Sequence, residues 1–325
     1  MLVYLQALAG LAVLVIAGDL LVRGAVSLAG RMGVSPLIIS LTVVAFGTSA
    51  PEMVVGVQAA LAGVPTLALG NVIGSNIANV LLVLGLPALI FPIMCNAHDL
   101  KFNLIHMLAA TAIFTALAFF GPFQTWQGLL FLGLLVAFLV QSGMRSRKGD
   151  AYAPDELADI EGMPDKPYSY TIATALLVLG LGGLALGADL LVDGATVIAR
   201  NYGVSEEVIG LTLVAVGTSL PELVTAIMAA IHRHGDVAIG NVIGSNIFNI
   251  YGIIGVTALI TPIPMPDSLL GTDLWVMVAA ALILIPFVLR RGAISAPYGF
   301  IFLAAYVLYL WIVGSTAGPA PDLST

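Results

Sequence analysis

The chain has 325 residues, 60% of them hydrophobic and only 9% charged, with a formal net charge of −7. A soluble domain of this length could not hide that much apolar surface, whereas a polytopic membrane protein turns it toward the lipid bilayer. The negative balance comes mostly from one acidic loop and a few carboxylates inside apolar runs, so it points to no nucleic acid; the single cysteine, Cys95, excludes a disulfide framework and a thiolate metal cluster and reads as an inert residue near a helix end.

A membrane-crossing helix needs about 20 mostly apolar residues, and ten such runs can be placed. The first, 2–28, begins without the basic stretch of a cleaved signal peptide, so it is expected to be retained. Within it Asp19 and Arg23 stand four apart, the spacing of an ion pair on one helix face. The second run, 35–62, contains AFGTSAPEM at 45–53. Pro51 has no amide hydrogen and crowds the carbonyl four residues back, which predicts a broken helix with freed carbonyls. Such backbone is tolerated at that depth only where it lines a cavity or is buried in protein. Glu52 sits there, and an ionised carboxylate in mid-run is costly unless a cation compensates it. Thr48 shares its helix face and Ser49 adds a second hydroxyl.

The third run, 67–91, carries GNVIGSNI at 70–77, whose Gly and Asn residues weaken a helix, so a break is expected here too. Gly70 and Gly74, and Gly240 and Gly244 in the second copy, are expected to allow close helix approach. Ser75 and Asn79 lie on one face and can add oxygens to the same centre, while Asn71 and Asn76 read as interhelical hydrogen-bonding groups. Runs 104–120 and 125–143 follow, joined through GPF at 121–123. The one long hydrophilic segment, about 145–169, is acidic but lacks the ligand spacing and central Gly of an EF-hand, and reads as a tether.

The second half repeats this order. Run 170–198 carries Asp189 and Asp193, which lack a basic partner and are expected to face water near the outer surface, where they could attract cations. Run 206–231 opens with Glu206 and Glu207, which favour a helix N-terminus, and contains AVGTSLPEL at 215–223. HRHGD at 232–236 reads as a solvated connection. Run 236–260 carries GNVIGSNI again, at 240–247, with Ser245 and Asn249 four apart; runs 273–289 and 297–314 follow the turn TPIPMPD. Each second-copy residue lies 170 positions after its match (222 minus 52 for the two glutamates), with no insertion from Asp19–Asp189 to Asn71–Asn241.

Five runs per half is an odd number, so the second copy enters the membrane from the opposite side. The expected fold is an all-α polytopic membrane protein of ten transmembrane helices in two inverted five-helix repeats, 1–144 and 170–325, joined by the 145–169 loop, with helices 2, 3, 7 and 8 broken. Inverted repeats of this kind belong to secondary transporters. With the N-terminus outside, ten of the eleven Lys and Arg residues fall on inner connections and only Arg200 falls outside. The positive-inside rule then places both termini outside and the 145–169 loop in the cytoplasm. The hydroxyls, freed carbonyls and carboxylates of the two motifs make all-oxygen clusters suited to hard cations: Ca²⁺, Na⁺ and Mg²⁺ among them. No His or Cys lies in either cluster.

GTSAPE with GNVIGSNIAN, and GTSLPE with GNVIGSNIFN, resemble the two α-repeats of the cation/Ca²⁺ exchanger superfamily, in particular its ten-span prokaryotic Na⁺/Ca²⁺ exchangers. The resemblance covers nearly the whole chain. It implies a sliding pair of long helices, spans 1 and 6, across a core of the other eight, in a bacterial or archaeal plasma membrane. It implies Ca²⁺ between Glu52 and Glu222 with oxygens from Thr48 and Thr218. Sodium sites would flank it, one using Ala45 carbonyl, Thr48, Ser49 and Ser75, the other Ala215 carbonyl, Thr218, Ser219 and Ser245. Asn79 would complete the middle site with Glu52, Glu222 and Asn249. Some members carry Asp in place of Asn249, where it is associated with K⁺; Asn249 matches the potassium-independent pattern. The transported ions are then Na⁺ and Ca²⁺, with no cofactor and no enzymatic activity.

Two rival readings share the fold or the motifs. An H⁺/Ca²⁺ antiporter would use the same carboxylates to exchange protons. A passive cation channel would also use broken helices, but paired acidic sites in an inverted repeat favour a carrier. An intramembrane hydrolase is disfavoured, because no His or Lys accompanies Ser49 or Ser219 at mid-depth.

Overall fold

The computed structural model describes residues 2–97, 99–146, 167–202, 215–267 and 269–316. In chain order its main helices are α1 (Leu2–Met32), α2 (Pro36–Thr48), α3 (Ala50–Leu61), α4 (Pro65–Ile90), α5 (Leu100–Ala118), α6 (Thr125–Arg145), α7 (Tyr170–Asn201), α8 (Ala215–Thr218), α9 (Leu220–Ile231), α10 (Gly235–Ile260), α11 (Leu269–Leu289) and α12 (Ala296–Ser315). Among the described residues eight helices are long and apolar enough to cross a membrane, and the bent pair α2–α3 makes a ninth. The chain is a multi-pass membrane protein. Its rim is studded with exposed apolar side chains such as Phe120, Phe300 and Trp311, the surface a lipid phase requires. Of the expected run 206–231 only 215–231 lies within the described residues; Glu206, Glu207 and most of the 145–169 loop lie outside them.

The two octapeptide helices form the centre. Their apolar windows are 72% and 83% buried, against 17–39% for the other single spans. GNVIGSNI is helical in both copies, where a break was expected. The irregular backbone lies beyond it, in a turn at 82–84 of α4 and a π-helical segment, Asn249–Ile254, of α10. The weak helix preference of Gly and Asn is overridden because packing sets the conformation here. A Cβ at Gly244 would collide with the Leu41 carbonyl of α2, so glycine is what lets these two backbones approach, whereas a Cβ at Gly70 or Gly74 of the first copy would meet nothing within 4 Å among the described residues, and the expected approach is not found there. The break expected at Pro51 is present: α2 and α3 meet at 42° around Ser49. Pro51 falls in the first turn of α3, where its missing N–H costs nothing. Ser219 holds nearly the same backbone angles between α8 and α9.

The two longest helices, α1 and α7, pack along one another and share an apolar seam of Leu14, Leu21, Ala25, Leu177 and Leu184. The seam is thin because glycines line it; a Cβ at Gly180 would sit 2.8 Å from the Leu21 backbone. One end of the pair is tied by polar contacts. Arg31 donates to the carbonyls of Pro167 and Tyr168, and the Tyr170 hydroxyl donates to the Arg31 carbonyl, all within 2.8 Å.

The 170-residue offset recurs in the backbone. The strand β1 (Ile93–Met94) pairs antiparallel with β2 (Ala293–Ile294), and at the offset positions Phe123 bridges Ile263. The turn after α3 places Gly63 at φ 77°, and the turn after α9 places Arg233 at φ 59° in the same left-handed region.

Candidate cation site

Glu52 and Glu222 each stand in the first turn of a helix that starts at the break, α3 and α9. Unpaired backbone N–H groups and the helix dipole favour negative charge at such a terminus. Both side chains are 1% exposed. The two motifs meet directly: Ser49 Oγ, from the first, donates to Glu222 Oε1, from the second, at 2.8 Å. Ser245 Oγ approaches the same oxygen at 3.5 Å. Thr48 Oγ1 lies 3.4 Å from the Ala45 carbonyl and 3.3 Å from Asn241 Oδ1, so α2 reaches α10 as well. Asn79 Nδ2 donates to Asn246 Oδ1 at 3.0 Å, which joins the two octapeptide helices.

What these contacts leave over defines the site. Glu52 Oε2, Glu222 Oε2, Ser219 Oγ, Asn79 Oδ1 and Asn249 Oδ1 are buried without a hydrogen-bond partner. Buried polar atoms are almost always paired, because each orphan costs about 1–3 kcal/mol. Five orphaned oxygens from sequence-predicted residues, two of them carboxylate, have the chemistry that could hold a hard cation. Among the described residues no three His, Cys, Asp or Glu side chains gather in a group that could hold a metal.

Of the expected ligands, Ala45, Thr48, Ser49, Glu52, Ser75, Asn79, Ser219, Glu222, Ser245 and Asn249 are all buried. Thr218 is half-buried and faces a cavity instead. Ala215 begins α8, and only its backbone is described. The cavity, of about 980 Å³, runs beside α2 and α3; Phe46, Pro51, Pro221 and Thr218 line it together with Asp189 and Asp193 of α7.

Other sequence expectations fared unevenly. Asp19 and Arg23 do pair, at 2.9 Å. Asn76 and Asn246 do bond between helices, and they do so by the same offset: Asn76 Nδ2 reaches Met277 Sδ and Asn246 Nδ2 reaches Met107 Sδ. The HRHGD turn is not a solvated connection. His232 and His234 are 8% and 4% exposed, and His232 Nε2 lies 2.6 Å from Asp19 Oδ1. The turn is buried because α9 ends against α1, and the signal available in the sequence was a mid-run Asp19 with more acceptor capacity than Arg23 fills. Asn241, the offset match of Asn71, was assigned no partner in the sequence and accepts a hydrogen bond from Thr48 across the helices.

The sodium/calcium exchanger protein family model matches the chain twice, at residues 2–144 and 172–314. The proposed antiporter CaxA of Alkalimonas amylolytica is 39% identical over 314 residues, covering 95% of this chain and 98% of its own. The sodium/calcium exchanger MaX1 of Methanosarcina acetivorans is 32% identical, covering 95% and 98%. Among solved structures, the sodium-calcium exchanger NCX_Mj superposes with a TM-score of 0.82 at 34% identity, covering 96% of this chain and 99% of that one. The doubled motif, the buried oxygens at its centre and these matches over nearly the full length lead to one conclusion: the chain belongs to the sodium/calcium exchanger protein family, a family of transporters and not of enzymes.

Proposed function

We propose that the protein is a secondary antiporter that exchanges Na⁺ for Ca²⁺ by alternating access, through ten spans in two inverted repeats, with both termini outside the plasma membrane. The observation that carries this reading is the set of orphaned buried oxygens shared between the two motifs, crossed by the Ser49–Glu222 hydrogen bond. Two carboxylates offset one Ca²⁺ or two Na⁺, and both ions want the same all-oxygen cage, so one must leave before the other binds. Ca²⁺ sits between Glu52 and Glu222, and Na⁺ takes the flanking hydroxyls and the Ala45 and Ala215 carbonyls. A third Na⁺ makes the cycle electrogenic. Asn249 supplies no charge, which favours a cycle without K⁺. Asp189 and Asp193, on the cavity wall, form the outer entrance.

The α1–α7 pair is the moving part. Its separate apolar seam and its tied end support a unit that slides against the core. The test is radioactive Ca²⁺ uptake into liposomes loaded with Na⁺, beside matched vesicles carrying only a pH gradient. Uptake driven by Na⁺ alone is the expected result. Uptake driven by the pH gradient alone would establish proton exchange instead, and uptake with no counter-ion would indicate a channel.

A further inference from the structure

The α1–α7 pair meets the core at two acidic positions related by the 170-residue offset, and the two are built differently. On α1, Asp19 Oδ2 lies 2.9 Å from Arg23 Nε and Asp19 Oδ1 lies 2.6 Å from His232 Nε2. His232 is the C-cap of α9, whose first turn carries Glu222. The moving pair is thereby hydrogen-bonded to the helix that holds a site carboxylate. On α7 the corresponding residue is Asp189. There the offset puts Ala62, the C-cap of α3, where His232 stands, and Asp193 where Arg23 stands. Ala62 has no side-chain donor and Asp193 repels. In place of a clasp, Asp189 and Asp193 line the 980 Å³ cavity that reaches Thr218.

We propose that the Asp19–His232 contact is a latch: it holds the moving pair against the core at the Asp19 end, biases the ion-free protein toward opening at the Asp189 end, and tightens when His232 takes up a proton. The proposal rests on the alternating-access reading above. A neutral imidazole gives Asp19 one hydrogen bond, whereas a protonated one adds a full charge, and charge-assisted bonds are about twice as strong. The contact is sheltered, with 10% of the His232 side chain and 25% of the Asp19 side chain exposed, so salt screens it little. Among the described residues, the elements packed against it bring the following charged and titratable groups, beside Asp189, Asp193 and Arg200 on α7, which packs against both α1 and α9. Arg23 shares Asp19 and has the Tyr168 hydroxyl beside it. Arg233, His234 and Asp236 belong to the same turn, where His234 Nδ1 stands 3.8 Å from Asp236 Oδ1. The 85–90 stretch of α4 packs against α9, and β1 against α10; they bring none. His234 is therefore the control.

Histidine is the side chain that ordinarily changes charge between about pH 5 and pH 8. The test places spin labels at Met32→Cys and Met144→Cys, exposed positions on α1 and α6, in ion-free nanodiscs, and measures distances near pH 6 and pH 8. The expected result is a closed population at the Asp19 end about fivefold more favoured at the lower pH, as one strengthened polar contact allows. His232→Gln should move the population toward the open form and erase the pH response; His234→Gln should keep both. Asp19→Asn, which removes the charge from the other partner, should reproduce the His232→Gln result. An unchanged pH response in His232→Gln, or populations equal to wild type in both latch variants, overturns the latch. Na⁺-driven Ca²⁺ uptake in the same wild-type preparation separates the two ideas: uptake with an insensitive latch leaves the exchanger standing, and its absence removes the exchanger reading itself.

Discussion

At the scale of single residues, the charge of the site rests on Glu52 and Glu222, since the other oxygens around them are hydroxyls, amides and carbonyls. Glu52→Gln or Glu222→Gln keeps the volume and removes one of two charges. Losing one partner of a buried charge contact costs roughly 3 kcal/mol, or about 100-fold. Ca²⁺ uptake should therefore fall by at least that factor while size-exclusion profiles stay normal; near-normal flux in either variant would exclude the assignment. Ser49→Ala removes one bond to a charged acceptor, a loss of about 1.5 kcal/mol or tenfold in Ca²⁺ affinity, readable by calorimetry. Cys95 should ignore maleimide at neutral pH, because it is 1% exposed and burial pushes its thiol up to about 12; stoichiometric labelling of the folded protein would contradict that. The buried polar side chains of the candidate site were legible in the sequence because each motif is local, with its polar residues within a helix turn or two. Asn241 beside Thr48 and His232 beside Asp19 were not legible, since those partners come from 193 and 213 positions away.

At the scale of elements, hydropathy alone placed the apolar runs that fall among the described residues to within a few residues, and proline marked the α2–α3 bend. The octapeptide was misjudged because local preference was weighed without packing. A helix buried as fully as the 235–248 stretch of α10 takes its stability from its neighbours. Gly244 tests this. An alanine there has no room, since its Cβ meets the Leu41 backbone and the Ala45 side chain of α2. Gly133 lies on the exposed side of α6, with nothing within 4 Å of a new Cβ. Gly244→Ala should lower the midpoint of thermal unfolding in detergent by several degrees and reduce transport, although alanine is the better helix former by about 1 kcal/mol. Gly133→Ala should leave both unchanged or slightly improved. Equal tolerance of the two would mean that the close approach of α10 to α2 does not matter.

At the scale of the whole molecule, the offset between the halves is kept in sequence, in backbone pairing and in the Asn–Met contacts, yet the two halves are not in equivalent states. Thr48 is buried where Thr218 faces a cavity, and Asp19 is clasped by His232 where Asp189 lines that cavity. Under the proposed reading of two inverted repeats, such a difference would correspond to one face closed and the other open, the geometry that alternating access needs. The motif count revealed the repeat; the asymmetry required coordinates, because identical octapeptides carry no information about which copy is open. The remaining quantity is charge. If three Na⁺ exchange for one Ca²⁺, each cycle moves one net charge against the direction of Ca²⁺. A potential of 100 mV then contributes about 2.3 kcal/mol, or roughly 50-fold, to the equilibrium Ca²⁺ ratio. In Na⁺-loaded liposomes clamped with a K⁺ ionophore, an inside-positive potential should accelerate Ca²⁺ uptake and an inside-negative one should slow it. Replacing external K⁺ at zero potential should change nothing. Uptake that ignores voltage would mean two Na⁺ per Ca²⁺, the number the two carboxylates neutralise by themselves.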